Sequence, residues 1–167
     1  MKFRAILFTA LLLALAGISY QATADALDNQ TAIGDLNAIK GIYDVRQSDP
    51  RALARSLAGI KGNIKNLEKE GVDRDLVIAF MSHAVRFIHT DPSFELETEH
   101  TQALQDIRER IAELKDLGVR MEACSTATRA FGVDNDTLLD GIVPVRSGYI
   151  ALMGYQNNGY ALVAVYD

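Results

Sequence analysis

Cys124 is the only cysteine in a chain of 167 residues. A lone cysteine has no disulfide partner within its own chain. It is therefore a small buried apolar residue, half of an intermolecular disulfide, or a thiol kept for its reactivity. The flanking sequence favours reactivity. Val119-Arg120-Met121-Glu122-Ala123-Cys124 reads as a strand, and Ser125 to Phe131 reads as a helix start. Cys124 then lies at the C-terminal end of a strand, the edge at which open α/β sheets bind ligands. The partial positive charge of a following helix N-terminus also lowers a thiol's pKa.

Two further residues complete a candidate set. His83 follows the apolar run Leu76–Met81 and can protonate a leaving thiolate. The competing reading is a histidine satisfied as a cap or within the core. Arg146 follows the strand-like Ile142-Val143-Pro144-Val145 and would add a full positive charge near Cys124. Glu122, two residues back on the same strand face as Cys124, would oppose it. His89 and His100 lie near acidic residues, but their spacing matches no metal-ligand motif. Ser147 is better explained as a helix cap than as a hydrolase nucleophile, since nothing resembles a nucleophile elbow. Gln47-Ser48-Asp49-Pro50 is acidic and lacks glycine, so it is no phosphate-binding loop. No cofactor and no metal are assigned.

The elements that must position these residues alternate along the chain. Ile42–Val45 reads as a short strand. Asp49 caps a helix that has Pro50 at its first position, and Leu53, Leu57, Ile60, Ile64 and Leu67 form one stripe before Gly71 stops it. Leu76–Met81 is a central strand buried on both faces. A short helix is expected over Ala84–His89, then a solvated acidic loop from Thr90 to Glu99. A second long helix starts near Thr98, with Leu104, Ile107, Ile111 and Leu114 on one face, and ends at Gly118. After the cysteine strand and its short helix come Ile142–Val145, a helix from Gly148 to about Asn157 capped by Ser147, and a last strand over Ala161–Tyr166. Alternation of this kind predicts an α/β fold of three layers: a mainly parallel five-stranded sheet with helices on both faces.

Residues 1–24 read as a secretory signal. Lys2 and Arg4 precede an apolar run from Ala5 to Ile18, and Ala22-Thr23-Ala24 fits a cleavage site before Asp25. The run is short for a membrane span, which needs about 20 residues. Residues 25–39 form a polar N-terminal extension, partly ordered at best, and residues 40–167 form one domain. A periplasmic or secreted protein with no membrane span after processing is expected. The net charge of −5 becomes more negative once the basic leader is removed. That argues against a nucleic-acid partner, which would want a basic face.

Taken together, the order of these features resembles the DsrE/DsrF-like family of sulfur-relay proteins. The residues are the helix after strand one, the strand ending in His83, Cys124 with Gly132-Val133 beyond it, Gly141-Ile142-Val143-Pro144-Val145 leading into Ser147-Gly148, and Asn158-Gly159-Tyr160-Ala161. The resemblance runs from about Lys40 to Tyr166. It implies a compact fold with a five-stranded sheet, often assembled as trimers or hexamers, and a role in passing sulfane sulfur between donor and acceptor proteins. It also implies that Cys124 is the position that accepts sulfur as a persulfide and that His83 matches a residue often present after the second strand. Ser125-Thr126 stand where many relatives have Gly and Asn, Arg146 stands where many have Pro, and the leader departs from the best-known cytoplasmic members. The expectation is an exported sulfur carrier. The alternatives are a non-catalytic oligomeric binding module and a thiol redox partner that forms mixed disulfides.

Overall fold

The computed structural model describes residues 27–167. The leader and cleavage site expected over residues 1–24 lie outside them. The elements are α1 (Gln30–Ile33), β1 (Ala38–Val45), α2 (Pro50–Lys69), β2 (Asp73–Phe80), a 3-10 turn (Ser82–Phe87), α3 (Phe94–Asp116), β3 (Arg120–Cys124), α4 (Ser125–Ala130), a second 3-10 turn (Asn135–Thr137), β4 (Ile142–Val145), α5 (Gly148–Asn157) and β5 (Ala161–Val165). The five strands form one sheet in the order β4-β3-β2-β1-β5, and every pairing is parallel.

This order decides which helix covers which face. The chain steps outward from β1 to β4, then returns past β1 to lay down β5 on the far side. Crossovers between parallel strands are right-handed, so a return step puts its helix on the opposite face from the outward steps. The side chains agree. Leu53, Leu57, Ile60 and Ile64 of α2 join Leu104, Ile107, Ile111 and Leu114 of α3 in one large core with Ile78, Phe80 and Met121. Leu152 of α5 packs on the other face with Ile42, Val77, Ala79, Met81 and Cys124. The continuous run Leu76–Phe80 is buried throughout because its alternate side chains enter the two cores.

Several boundaries differ from the sequence reading. β1 begins at Ala38 rather than Ile42, with Ala38 and Ile39 paired to Asp73 and Arg74. The short helix α1 lies within the expected extension. It is fastened by Glu70, which accepts from Asn29 N–H at 2.9 Å and from Gln30 Nε2 at 2.5 Å, and Ile33 is buried. The largest difference is α3. The acidic stretch taken for a loop is its first turns: Ser93 Oγ accepts from Leu96 N–H, and Glu95 and Glu97 sit where the helix dipole favours carboxylates. The helix kinks at His100, whose φ of −130° is non-helical.

Candidate functional site

Cys124 closes β3 on the face covered by α5, and it is 4% exposed. As expected, it directly precedes a helix, but α4 does not hold its sulfur: the thiol makes no cap hydrogen bond there. The donor comes from α5 instead. Gly148 N–H donates to Cys124 Sγ at 3.2 Å, which places the thiol at the N-terminus of a ten-residue helix. Oriented amides and the helix dipole at such a position favour negative charge on sulfur or on a group bonded to it.

Packing at residue 148 is tight and favours glycine. A Cβ there would sit 3.0 Å from Met81 Sδ and Cε and 3.1 Å from Cys124 Cβ. Met81 and Cys124 therefore both pack against Gly148, in one buried cluster. Ser147 occupies the expected N-cap position of α5, yet its side chain makes no cap hydrogen bond.

His83 lies in the turn after β2, exposed, with Nδ1 3.2 Å from Ser82 Oγ and its ring 4.8 Å from that of Phe131. Ser82 has φ of +52°, a left-handed conformation costly for a non-glycine residue and often found beside functional sites. Arg146 is exposed and lines a groove of about 450 Å³ together with Glu122, Ser147, Ile150 and Tyr155. Its carbonyl accepts from Thr126 Oγ1 at 3.2 Å. Among the described residues, neither His83 nor Arg146 makes a hydrogen bond or ion pair with Cys124. The structure sets all three at the C-terminal ends of β2, β3 and β4, with no hydrogen bond or ion pair among them in the described residues.

The sequence reading missed a different arginine. Asp44 is 1% exposed on the α5 face of β1. Both its oxygens accept from Arg46 Nε, at 2.9 and 3.0 Å, and Oδ2 also accepts from Tyr166 OH at 2.7 Å. Arg46 Nη1 donates to Tyr149 OH at 3.1 Å, Nη2 donates to Met81 Sδ at 3.8 Å, and the guanidinium carbon lies 5.0 and 5.5 Å from the ring centroids of Tyr149 and Tyr166. The Asp44 hydrogen bond holds Arg46 more firmly protonated than a free arginine and pushes the Tyr166 hydroxyl pKa up. Removing one partner from a buried ion pair typically costs about 3–5 kcal/mol. Its sequence signal was faint: an aspartate inside an otherwise apolar strand, two residues before an arginine.

Glu122, expected to oppose charge on the thiol, is engaged elsewhere. Its Oε1 accepts from Tyr155 OH at 2.6 Å, while Oε2 is buried without a partner. Burial first, and then this carboxylate, push the Tyr155 hydroxyl up to about 12, against an ordinary value of about 10. The unfolded chain gives up that proton near pH 10 and the folded chain near pH 12. The contact's contribution is therefore full below pH 10 and is lost as pH rises to about 12. The stability gap between the protein and its Tyr155→Phe variant should shrink across that window; a gap that stays constant in alkaline denaturation would contradict the assignment. At the other end of the same face, Tyr160 OH and Arg120 both bond Asp75. A separate cavity of about 590 Å³ lies between α2 and α3 and contains none of these groups.

Comparisons with known proteins bear on the fold and the family. The structure resembles a protein of unknown function from Methanobacterium thermoautotrophicum, MTH1491, at a TM-score of 0.59 and 22% identity, covering 75% of this chain and 98% of that one. It also resembles the ychN protein from E. coli at a TM-score of 0.51 and 17% identity, covering 77% and 100%. At these identities the likeness concerns the fold. Among curated proteins, none matches the sequence. The DsrE/DsrF-like family model matches residues 39–165, from the start of β1 to the end of β5, and the chain belongs to that family.

Proposed function

We propose that this protein is a sulfur carrier, in which Cys124 accepts sulfane sulfur, holds it as a persulfide and passes it to a partner. Family membership supports a sulfur-relay type of function. The observation that carries the finer reading is the Gly148 N–H donated to Cys124 Sγ. That amide is positioned to stabilise a sulfur anion, and the thiol is the only one in the chain. A persulfide adds one S–S bond of about 2 Å, moving the reactive sulfur outward from a buried anchor. His83 and Arg146, at neighbouring strand ends, are proposed to assist from the rim.

Cyanide tests this reading, because it removes the outer sulfur of a persulfide as thiocyanate and returns the thiolate. After treatment with a sulfane-sulfur donor and removal of the excess, about one cyanolysable sulfur per chain is expected. None would overturn the reading.

Residues 1–24 are proposed to direct export to the periplasm or outside the cell, with cleavage before Asp25. N-terminal sequencing should find Asp25; retained Met1 on membrane-bound protein would contradict it. We also propose self-association into a trimer or hexamer. Tyr149, Ile150 and Met153 of α5 and Leu162 of β5 are 59%, 62%, 56% and 43% exposed, and apolar exposure on that scale favours a covered face. Light scattering at micromolar concentration should give a multiple of the processed mass; a clean monomer would rule it out.

A further inference from the structure

We propose that Arg46 selects the sulfur donor: it binds the oxyanion end of a small anionic sulfane-sulfur compound while Cys124 takes the outer sulfur. This inference deepens the carrier reading and rests on it.

Three observations lead to it. The first is how firmly the guanidinium is fixed. Asp44, 1% exposed, holds Nε, and the rings of Tyr149 and Tyr166 lie 5.0 and 5.5 Å from the guanidinium carbon. A planar cation oriented in advance loses little freedom when it takes up an anion. The second is its spare capacity. A guanidinium has five N–H donors. One serves Asp44, one Tyr149 OH and one Met81 Sδ, which leaves one on each terminal nitrogen. The third is its place. Tyr149, which receives Arg46 Nη1, is the residue after Gly148, which donates to Cys124 Sγ. Met81, which receives Nη2, packs against that glycine in the same buried cluster as Cys124. Consecutive residues of one helical turn thus hold the cation and the sulfur.

That spacing suits a donor whose charge is displaced from the sulfur it gives up. Thiosulfate is the simplest: its outer sulfur is joined by a bond of about 2 Å to a sulfonate. The Cys124 thiolate attacks the outer sulfur, a Cys–S–S bond forms, and the original S–S bond breaks. Sulfite leaves with the bonding pair, so a thiolate and a dianion become a persulfide anion and a dianion with no other oxidant or reductant. Arg46 holds the sulfonate oxygens as charge gathers on them. Arg146, exposed at the end of β4, has no comparable anchor among the described residues.

The test uses the processed protein, its Arg46→Gln variant, and the double variant Asp44→Asn with Arg46→Gln. The double variant removes both charges together, so no buried carboxylate is stranded. Two rates are read at Cys124: sulfur loading from thiosulfate, and alkylation by iodoacetate relative to iodoacetamide, which share one chemistry but differ in charge. Loss of a charge-assisted hydrogen bond predicts a fall of about tenfold or more in thiosulfate loading, and in the iodoacetate-to-iodoacetamide ratio, in both variants. Iodoacetamide alone should change little. A ratio equal in all three proteins would overturn the role of Arg46 and leave the carrier reading standing. An equal loss with both alkylating reagents would also overturn it, since Arg46 would then act only through the fold. A Cys124 that neither reagent reaches would overturn it as well. Failure of the original protein to load sulfur from thiosulfate or polysulfide, with the iodoacetate preference intact, would sink the carrier reading and keep the anion site.

Discussion

Replacing Cys124 with serine should abolish sulfur loading while the protein stays folded. The hydroxyl takes the place of a side chain that is 4% exposed and can accept the same Gly148 N–H. The buried amide therefore keeps a partner, and the penalty of an unsatisfied donor is avoided. A hydroxyl forms no persulfide, so cyanolysable sulfur should fall from about one per chain to background, with the circular dichroism spectrum unchanged. Loading retained in Cys124→Ser would mean that sulfur binds without a covalent anchor, which the geometry does not provide for.

Gly148→Ala should have the next largest effect. The added methyl would lie 3.0 Å from the Met81 thioether and 3.1 Å from Cys124 Cβ. Met81 is 2% exposed and has little room to move. Either the end of that side chain gives by a few tenths of an ångström or the first turn of α5 shifts, and that turn carries the amide that donates to sulfur. Overpacking of this kind typically costs about 1–3 kcal/mol. The functional loss should be larger than the stability loss, because a shift of a few tenths of an ångström weakens the amide–sulfur bond before it unfolds anything. Persulfide formation should slow about tenfold or more, while thermal unfolding drops by only a few degrees. Equal loading rates for the two proteins would show that the Gly148 amide takes no part.

The elements built on dense local signals were legible in the sequence. The run Leu76–Phe80 has the composition of a strand buried on both faces, and Asp49-Pro50 starts a helix by capping and by proline's fixed φ together. The start of α3 was not, because its first turns carry no apolar stripe. Phe94 is 87% exposed, and the turn is set by the Ser93 cap and by dipole-favoured carboxylates. The site divides the same way. Cys124 stood out as a lone thiol at a strand end. The amide that holds it comes from α5, and the Arg46 cluster joins Asp44 to Tyr166 across 122 positions and Arg46 to Tyr149 across 103. Contacts of that separation exist only once β5 is placed beside β1, and no local spacing announces them. Arg146 follows the strand next to β3, yet the anchored cation, Arg46, follows β1.

The most direct test of a persulfide on Cys124 is the mass of the processed protein after exposure to thiosulfate or polysulfide. A single adduct of about 32 Da, one sulfur, mapping to the peptide that contains Cys124 and lost on reduction, is the predicted result. An unmodified chain, or a disulfide dimer through Cys124 in place of the adduct, would contradict it.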